Sequence, residues 1–273
     1  MLETANDYRL PDALRGTILE KIMHDRLHEL IGAKSKLPAI CIESVLDRAP
    51  EIRPFKRALL SRSPAIIAEI KKASPSAGLI REDFDPIKIA LEYQSSGAAA
   101  LSVITEVNHF HGGLQNLASL RWNSKLPLLR KDFIVDPYQV LEARHAGADV
   151  VLLITALLDA EALKSLRLAA ERLGMEALVE VHNEPELQQA LDSGATMIGV
   201  NNRDLRTFKV SLEVALKLAK IMPKGVVAVA ESGIRSRDDV QTLSDAGYRG
   251  FLVGEHLMRS SSPGAALAKL LGK

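Results

Sequence analysis

The feature that most constrains this chain is an internal repeat. From Ala65 onward, short apolar runs alternate with longer amphipathic segments. The runs are AIIAEI, ALSVIT from Ala100, LPLLRK from Leu126, VVLLIT from Val150, ALVEVH from Ala177, MIGVNN from Met197, VVAVAES from Val226 and GFLVGE from Gly250. Each is short and rich in β-branched residues or leucine, the pattern of a buried strand. The segments between them, such as PYQVLEARHAG and EPELQQALDSG, have helical spacing. Pro86, Pro137, Pro185 and Pro263 stand where helices begin, at positions where a missing N–H costs nothing. Gly97, Gly147, Gly174, Gly194 and Gly247 stand where they end, and the pairs Gly97-Ala98, Gly147-Ala148 and Gly194-Ala195 read as one connection used again.

Eight strand-helix units over about 200 residues fit an α/β fold of the (β/α)8 TIM-barrel type in number and size. An open doubly wound sheet uses the same alternation, but no GxGxxG follows the first strand, which favours closure. The length of 273 residues suits one such barrel or two smaller domains, and a hydrophobic fraction of 47% supplies a large core. Residues 1–63 break the pattern. TILEKIMHDRLHELI is an amphipathic helix, and IESVLDRAPEIRPFKRALL suggests one or two more. They are expected to form an N-terminal helical extension packed on the barrel of residues 64–273, within a single domain. About 60 residues with so few apolar positions would bury too little alone.

Charge narrows the partners. Lys+Arg of 35 against Asp+Glu of 34 leaves +1, with no long run of either sign, so neither nucleic acid nor a membrane surface is an expected partner. Any anionic ligand must be held by local geometry. The most apolar run, VVLLITALL, is too short to span a bilayer. The start, MLETANDYRL, lacks the basic-then-apolar layout of a signal peptide. The single cysteine, Cys41, excludes an internal disulfide and fits a reducing compartment, so a cytoplasmic protein is expected.

Charged residues inside the strands require a reason. In AEIKKASPSAG, Glu69 and Lys71 lie two apart on an apolar strand, so both point to one face. Buried charges are costly unless paired or used. The pattern recurs with Lys131 in LLRKDF, Glu180 in LVEVH, Asn201 in GVNNRD and Glu231 in AVAESG. In a closed barrel these strand ends meet at the C-terminal mouth, where barrel chemistry gathers. Five of eight strands delivering polar groups to one mouth point to an active site, because accidental rim residues would scatter over both ends. Plainer readings serve other positions. Arg130 faces the helix layer and reads as an ordinary ion pair; NNRD also reads as a turn with a helix cap. His109 and His111 in NHFHGG lack a matching carboxylate cluster and read as a polar loop, so no metal is expected. His182, after Glu180, is a weaker candidate still. ESGI and VGEH put Gly233 and Gly254 where the chain turns after the last two strands, the usual place for a barrel phosphate site built from N–H groups.

Taken together, IIAEIKKASPSAGLI, LLRKDFIVDPYQV, ALVEVHNEPEL, IGVNNRDLRTF, VAESGIRSRDDV and LVGEHLM resemble the indole-3-glycerol phosphate synthase family, from about Ile18 to the C-terminus. The resemblance implies a cofactor-free lyase acting on a small phosphosugar-anthranilate substrate. Its reaction converts 1-(2-carboxyphenylamino)-1-deoxyribulose 5-phosphate to indole-3-glycerol phosphate, CO2 and water. By the same resemblance Lys131 is the general acid and Glu180 the general base. Lys71 holds the substrate carboxylate or serves as second acid, Glu69 and Glu231 orient and charge-balance the lysines, and Asn201 hydrogen-bonds the substrate. Ser74 and Arg203 match binding positions, Phe110 is a wall for the anthranilate ring, and N–H groups at Ser232, Gly233, Gly254 and Glu255 receive the phosphate.

The chain departs from the family pattern in VNHFHGG, where relatives usually carry Phe-Phe-Gln-Gly, and at Glu255, where some carry Ser. A carboxylate facing phosphate would repel it, so the Glu255 side chain is expected to turn away. The resemblance also implies that the N-terminal helices shape the pocket. The chain stops after the eighth helix, so a fused isomerase domain is expected to be absent, and the expected state is a monomer or weak homo-oligomer. Two rivals make different demands. Phosphoribosylanthranilate isomerase would share the phosphate site but is expected to use a cysteine at the first strand, where Glu and Lys stand here. A silent barrel kept as an assembly partner should have lost Lys71, Lys131 or Glu180, and all three are present.

Overall fold

The structure, a computed structural model, describes residues 8–273. Most of the N-terminal stretch read against a signal peptide, residues 1–7, lies outside the described residues. The eight apolar runs form eight parallel strands: β1 (Ala65–Ile70), β2 (Ala100–Ile104), β3 (Leu128–Lys131), β4 (Val150–Ile154), β5 (Glu176–Val181), β6 (Met197–Asn201), β7 (Val227–Glu231) and β8 (Gly250–Val253). Each pairs with its neighbours in sequence, and β1 pairs with β8 from Ala65↔Gly250 to Ala68↔Val253, which closes the barrel. The fold is a (β/α)8 barrel. β1 is buried along its whole length, Glu69 included.

The helices begin where their caps allow. After the extension helices α1 (Ile18–Lys36), α2 (Ala39–Glu43) and α3 (Phe55–Leu60), the outer layer starts with α4 (Pro86–Ser96), α5 (Leu114–Asn123) and α6 (Pro137–His145). It continues with α7 (Ala160–Arg172), α8 (Glu184–Asp192), α9 (Glu213–Ala219), α10 (Arg237–Asp245), the short α11 (Glu255–Met258) and α12 (Pro263–Leu270). Asp85, Asp136, Asp159, Asn183, Ser236 and Ser262 accept from first-turn N–H groups, and proline sits in the first turn of α4, α6, α8 and α12. Such caps satisfy donors that have no partner inside the helix. The segment IESVLDRAPEIRPFKRALL is less helical than expected. Pro50 and Pro54 interrupt it, leaving the tail of α2, a 3-10 turn at Leu46–Arg48, and α3.

The extension wraps the barrel from its mouth to its base. Leu19, Ile22 and Met23 of α1 and Phe55 and Leu59 of α3 share one core with the barrel strands. Leu30 and Ile42 pack with Tyr138 and Leu141 of α6, and Tyr138 Oη donates to the carbonyls of Ala33 and Leu37 at the end of α1. At the base, Asp149 accepts from the Arg53 N–H at 2.6 Å and Glu176 from the Lys56 N–H at 2.9 Å. Near the mouth, Arg26 Nη2 lies 3.0 Å from Asp132 Oδ2. Asp132 is buried and also meets Arg130 and Thr105 Oγ1. This ties α1 to the residue that follows Lys131. Arg130 faces the helix layer as the sequence suggested, bonding the Gln139 carbonyl and approaching Glu142. It is wholly buried rather than at a rim.

Candidate active site

The strand-end residues converge on one cavity of about 520 Å³ at the C-terminal mouth. Glu69, Lys71, Ser74, Phe110, Lys131, Glu180, Asn201, Arg203, Glu231, Ser232, Gly233, Gly254 and Glu255 all line it. Ile18, Leu19 and Ile22 of α1 close part of its opening. Sequence reasoning overlooked some apolar lining, notably Phe133 and Phe208. Phe133 was findable: it stands two positions after Lys131, on the same face of an extended chain. Its ring lies 6.1 Å from that of Phe110, giving the cavity an aromatic wall.

The charged groups form two clusters. Lys71 Nζ lies 2.8 Å from Glu69 Oε1. Lys131 Nζ lies 3.4 Å from Glu180 Oε2 and 3.7 Å from Glu231 Oε2. Two glycines make room for these carboxylates: a Cβ on Gly254 would overlap Glu69 Oε1, and one on Gly199 would overlap Glu231 Oε1. The Asn201 amide is engaged at both ends, donating to Glu180 Oε1 at 3.1 Å and accepting from the Arg203 N–H at 3.0 Å. One amide hydrogen therefore remains for a ligand.

Burial and charge compete over the protonation states. Burial alone would lower the Lys131 pKa, but Glu180, Glu231 and Glu69 outweigh it and hold the ammonium well above the ordinary lysine range. Burial would raise Glu180, yet Lys131 and then His182 and Asn201 hold it below the usual carboxylate range. Glu231 goes the other way. Burial and the charge of Glu180 push it up to about 8, and neither of its oxygens has a hydrogen-bond partner among the described residues. At neutral pH it is therefore largely neutral, and a weaker counter-charge for Lys131 than its sequence position implied.

The turn after β7 holds Ser232 at φ 64 and Gly233 at φ 84, two consecutive residues in the left-handed region. No backbone carbonyl among the described residues accepts from the N–H of Ser232, Gly233 or Gly254. Glu255 stays at the rim. Its carboxylate lies 3.0 Å from Arg259 Nε and 3.6 Å from Arg203 Nη2, so two arginines meet the charge that was expected to turn away from phosphate. Ser74 sits in a hairpin of two-residue strands, Ala73–Ser74 and Gly78–Leu79, and accepts from the Ala77 N–H. Asp204 in NNRD is a turn residue, accepting from Arg206 and Thr207. His109 is a loop anchor, 2.9 Å from Asp25 of α1.

His182, weighed in the sequence only as a weak metal-ligand candidate, has another place: its Nε2 lies 3.3 Å from Glu180 Oε1 and its Nδ1 lies 2.9 Å from Glu186 Oε2. The signal was present in the sequence, because Glu180 and His182 are spaced like Glu69 and Lys71.

Acidic and basic side chains from four strand ends and an asparagine from a fifth, shielded in one end of a closed barrel, define the class: a (β/α)8-barrel enzyme with acid–base groups at its mouth. Comparison with known proteins narrows the class. Residues 19–270 match the family model described as indole-3-glycerol phosphate synthase. The chain is 49% identical over 263 residues to the indole-3-glycerol phosphate synthase of Carboxydothermus hydrogenoformans, covering 93% of this chain and 99% of that one. It is 48% identical to that of Koribacter versatilis, covering 93% and 98%. The chain belongs to the indole-3-glycerol phosphate synthase family. Among solved structures it is similar to KGPDC from Streptococcus mutans, at TM-score 0.59 and 16% identity, covering 77% of this chain and 96% of that one. It is also similar to thiamine phosphate pyrophosphorylase from Pyrococcus furiosus, at TM-score 0.56 and 18% identity, covering 78% and 96%. At such identities the likeness concerns the fold alone. Among the described residues no helix is long and apolar enough to cross a membrane.

Proposed function

We propose that this protein closes the indole ring in tryptophan biosynthesis, converting 1-(2-carboxyphenylamino)-1-deoxyribulose 5-phosphate to indole-3-glycerol phosphate, CO2 and water. Family membership over nearly the whole chain supports the reaction. The observation that carries the residue assignment is the meeting of Lys131 and Glu180 across the mouth, 3.4 Å apart on β3 and β5.

The chemistry calls for these residue types. The ring carbon that bears the carboxylate attacks the sugar carbonyl, and charge builds on the carbonyl oxygen. Lys131, kept protonated chiefly by Glu180, supplies the proton there. Loss of CO2 restores the aromatic ring. The hydroxyl then leaves as water, taking its proton from Lys71 as second acid, while Glu180, kept ionised, removes a neighbouring proton as base. Because a carboxylate departs as neutral CO2, each turnover consumes one proton from solution.

Lys71, steadied by Glu69, receives the substrate carboxylate. Phe110 and Phe133 form one wall against the aromatic ring. The open N–H groups at Ser232, Gly233 and Gly254, with Arg203 beside them, receive the phosphate. The test is to supply purified protein with the substrate and follow indole absorbance. Growth of the indole band at a rate proportional to protein supports the reading, and its absence with folded protein rejects it.

A further inference from the structure

His182 closes a chain of contacts that the acid–base scheme leaves unused. It stands just beyond β5, and its side chain is only 11% exposed, yet it does not line the cavity and so does not reach the substrate. One ring nitrogen is anchored by Glu186 from the first turn of α8, whose Oε2 also accepts the His182 N–H at 2.8 Å. The other, Nε2, lies 3.3 Å from Glu180 Oε1. Nε2 makes no hydrogen bond among the described residues, so the approach to Glu180 is a contact of charges at slightly open geometry. Asn201 donates to the same oxygen, and Lys131 approaches the other.

We propose that His182 is a positioning residue for Glu180: clamped by Glu186, its imidazole fixes the base carboxylate from behind while Lys131 and Asn201 fix it from the cavity side. The inference rests on the reading of Glu180 as general base. The groups facing the pair are Lys131 of β3, Asn201 of β6, Glu231 of β7 and Glu186 of α8. Two carboxylates flank the ring against its own burial and push the imidazole up to about 10, so it is a cation at neutral pH. That charge favours the ionised form of Glu180. Without it the Glu180 pKa rises, and activity is lost at a higher pH on the acid side.

Two variants separate this role from a structural one. His182→Asn keeps a polar group near Glu186 but no longer reaches Glu180; His182→Gln keeps an amide donor near the position of Nε2. His182→Asn is expected to lower kcat by about 10-fold to 100-fold with KM within about threefold. It should also move the acid limb of the kcat profile upward, and His182→Gln should recover part of the loss. A kcat within about threefold of wild type for His182→Asn overturns the inference and leaves Glu180 as base untouched. Equal falls in melting temperature and kcat for both variants, with an unmoved limb, also overturn it. The imidazole resonances give a readout independent of turnover. They should remain those of a cation through pH 8 in wild type and titrate at lower pH in Glu180→Gln. A wild-type midpoint near the ordinary value for histidine rejects the clamp. Wild-type protein inactive on the substrate while the resonances behave as expected would reject the functional reading and retain the contact.

Discussion

Replacing Lys131 with methionine keeps the length of the side chain and removes the proton and the charge. Both losses bear on the reaction. The missing acid alone is worth about 10² to 10⁴ in kcat, or about 2.7 to 5.5 kcal/mol of barrier. The missing charge acts on Glu180. At 3.4 Å and an effective dielectric of about 20, the pair attracts by about 5 kcal/mol, which corresponds to an upper bound of about three and a half pH units on the carboxylate. The lysine side chain is 20% exposed, and allowing solvent to screen away about two-thirds leaves about one unit. Lys131→Met should therefore reduce kcat at least about 100-fold at pH 7.5. Its residual activity should lose its acid limb about one unit higher than wild type. The assay is indole absorbance from the lowest pH at which the protein stays folded up to about pH 9, because Glu180 titrates below the usual carboxylate range, with thermal melting and calorimetric titration of indole-3-glycerol phosphate as controls. Product should still bind, because the phosphate turn is untouched. Turnover within about tenfold of wild type, a barrier change of about 1.4 kcal/mol, would refute the assignment of Lys131 as the acid.

Three further expectations follow from the geometry. A Cβ on Gly233 would stand 2.6 Å from Val210 Cγ1 at a φ of 84°, so Gly233→Val should distort the phosphate turn and raise KM far more than it lowers kcat; an unchanged KM in a folded variant would remove phosphate from this turn. Glu231 has a pKa raised to about 8, so the folded state binds a proton that the unfolded state has released between about pH 4.5 and 8, and wild type should lose stability as pH rises through that window. Glu231→Gln should escape that loss, its melting temperature gaining on wild type from pH 5 to 8 and levelling above; parallel melting curves across the range would count against a neutral Glu231. Arg26→Met removes the link from α1 to Asp132 but leaves Arg130 in place, so a cost of about 1 to 3 kcal/mol and a fall of several degrees in melting temperature are expected, with calorimetry as the check.

The barrel could be read from the chain because its strands and helices differ in period and its connections repeat, a local signal that needs no knowledge of contacts. The mouth could be read for a related reason. Glu69 and Lys71 alternate with core residues, and a charge inside a buried strand has few places to go except the rim. What escaped the reading depends on distance in three dimensions. Arg26 meets Asp132 across 106 positions, and nothing in either segment marks the other as its partner. The neutral state of Glu231 arises from its closeness to Glu180 on another strand, a balance of burial against charge that residue types alone do not reveal. His182 is the instructive miss. Its spacing from Glu180 matched a pattern already used for Glu69 and Lys71, but the histidine was weighed only as a metal ligand. The loop glycines were read for backbone approach to phosphate, whereas Gly254 is also required by the carboxylate of Glu69.

Ring closure is assigned to this mouth, beside Lys131 and Glu180 and with the phosphate on the turns after β7 and β8. A crystal structure of the protein with indole-3-glycerol phosphate bound tests it most directly. The phosphate is expected within hydrogen-bond distance of the N–H groups of Gly233 and Gly254, the indole ring beside Phe110, and Lys131 and Glu180 both within reach of the newly closed ring. Product bound with its phosphate away from those turns, or with its ring out of reach of both Lys131 and Glu180, would contradict it.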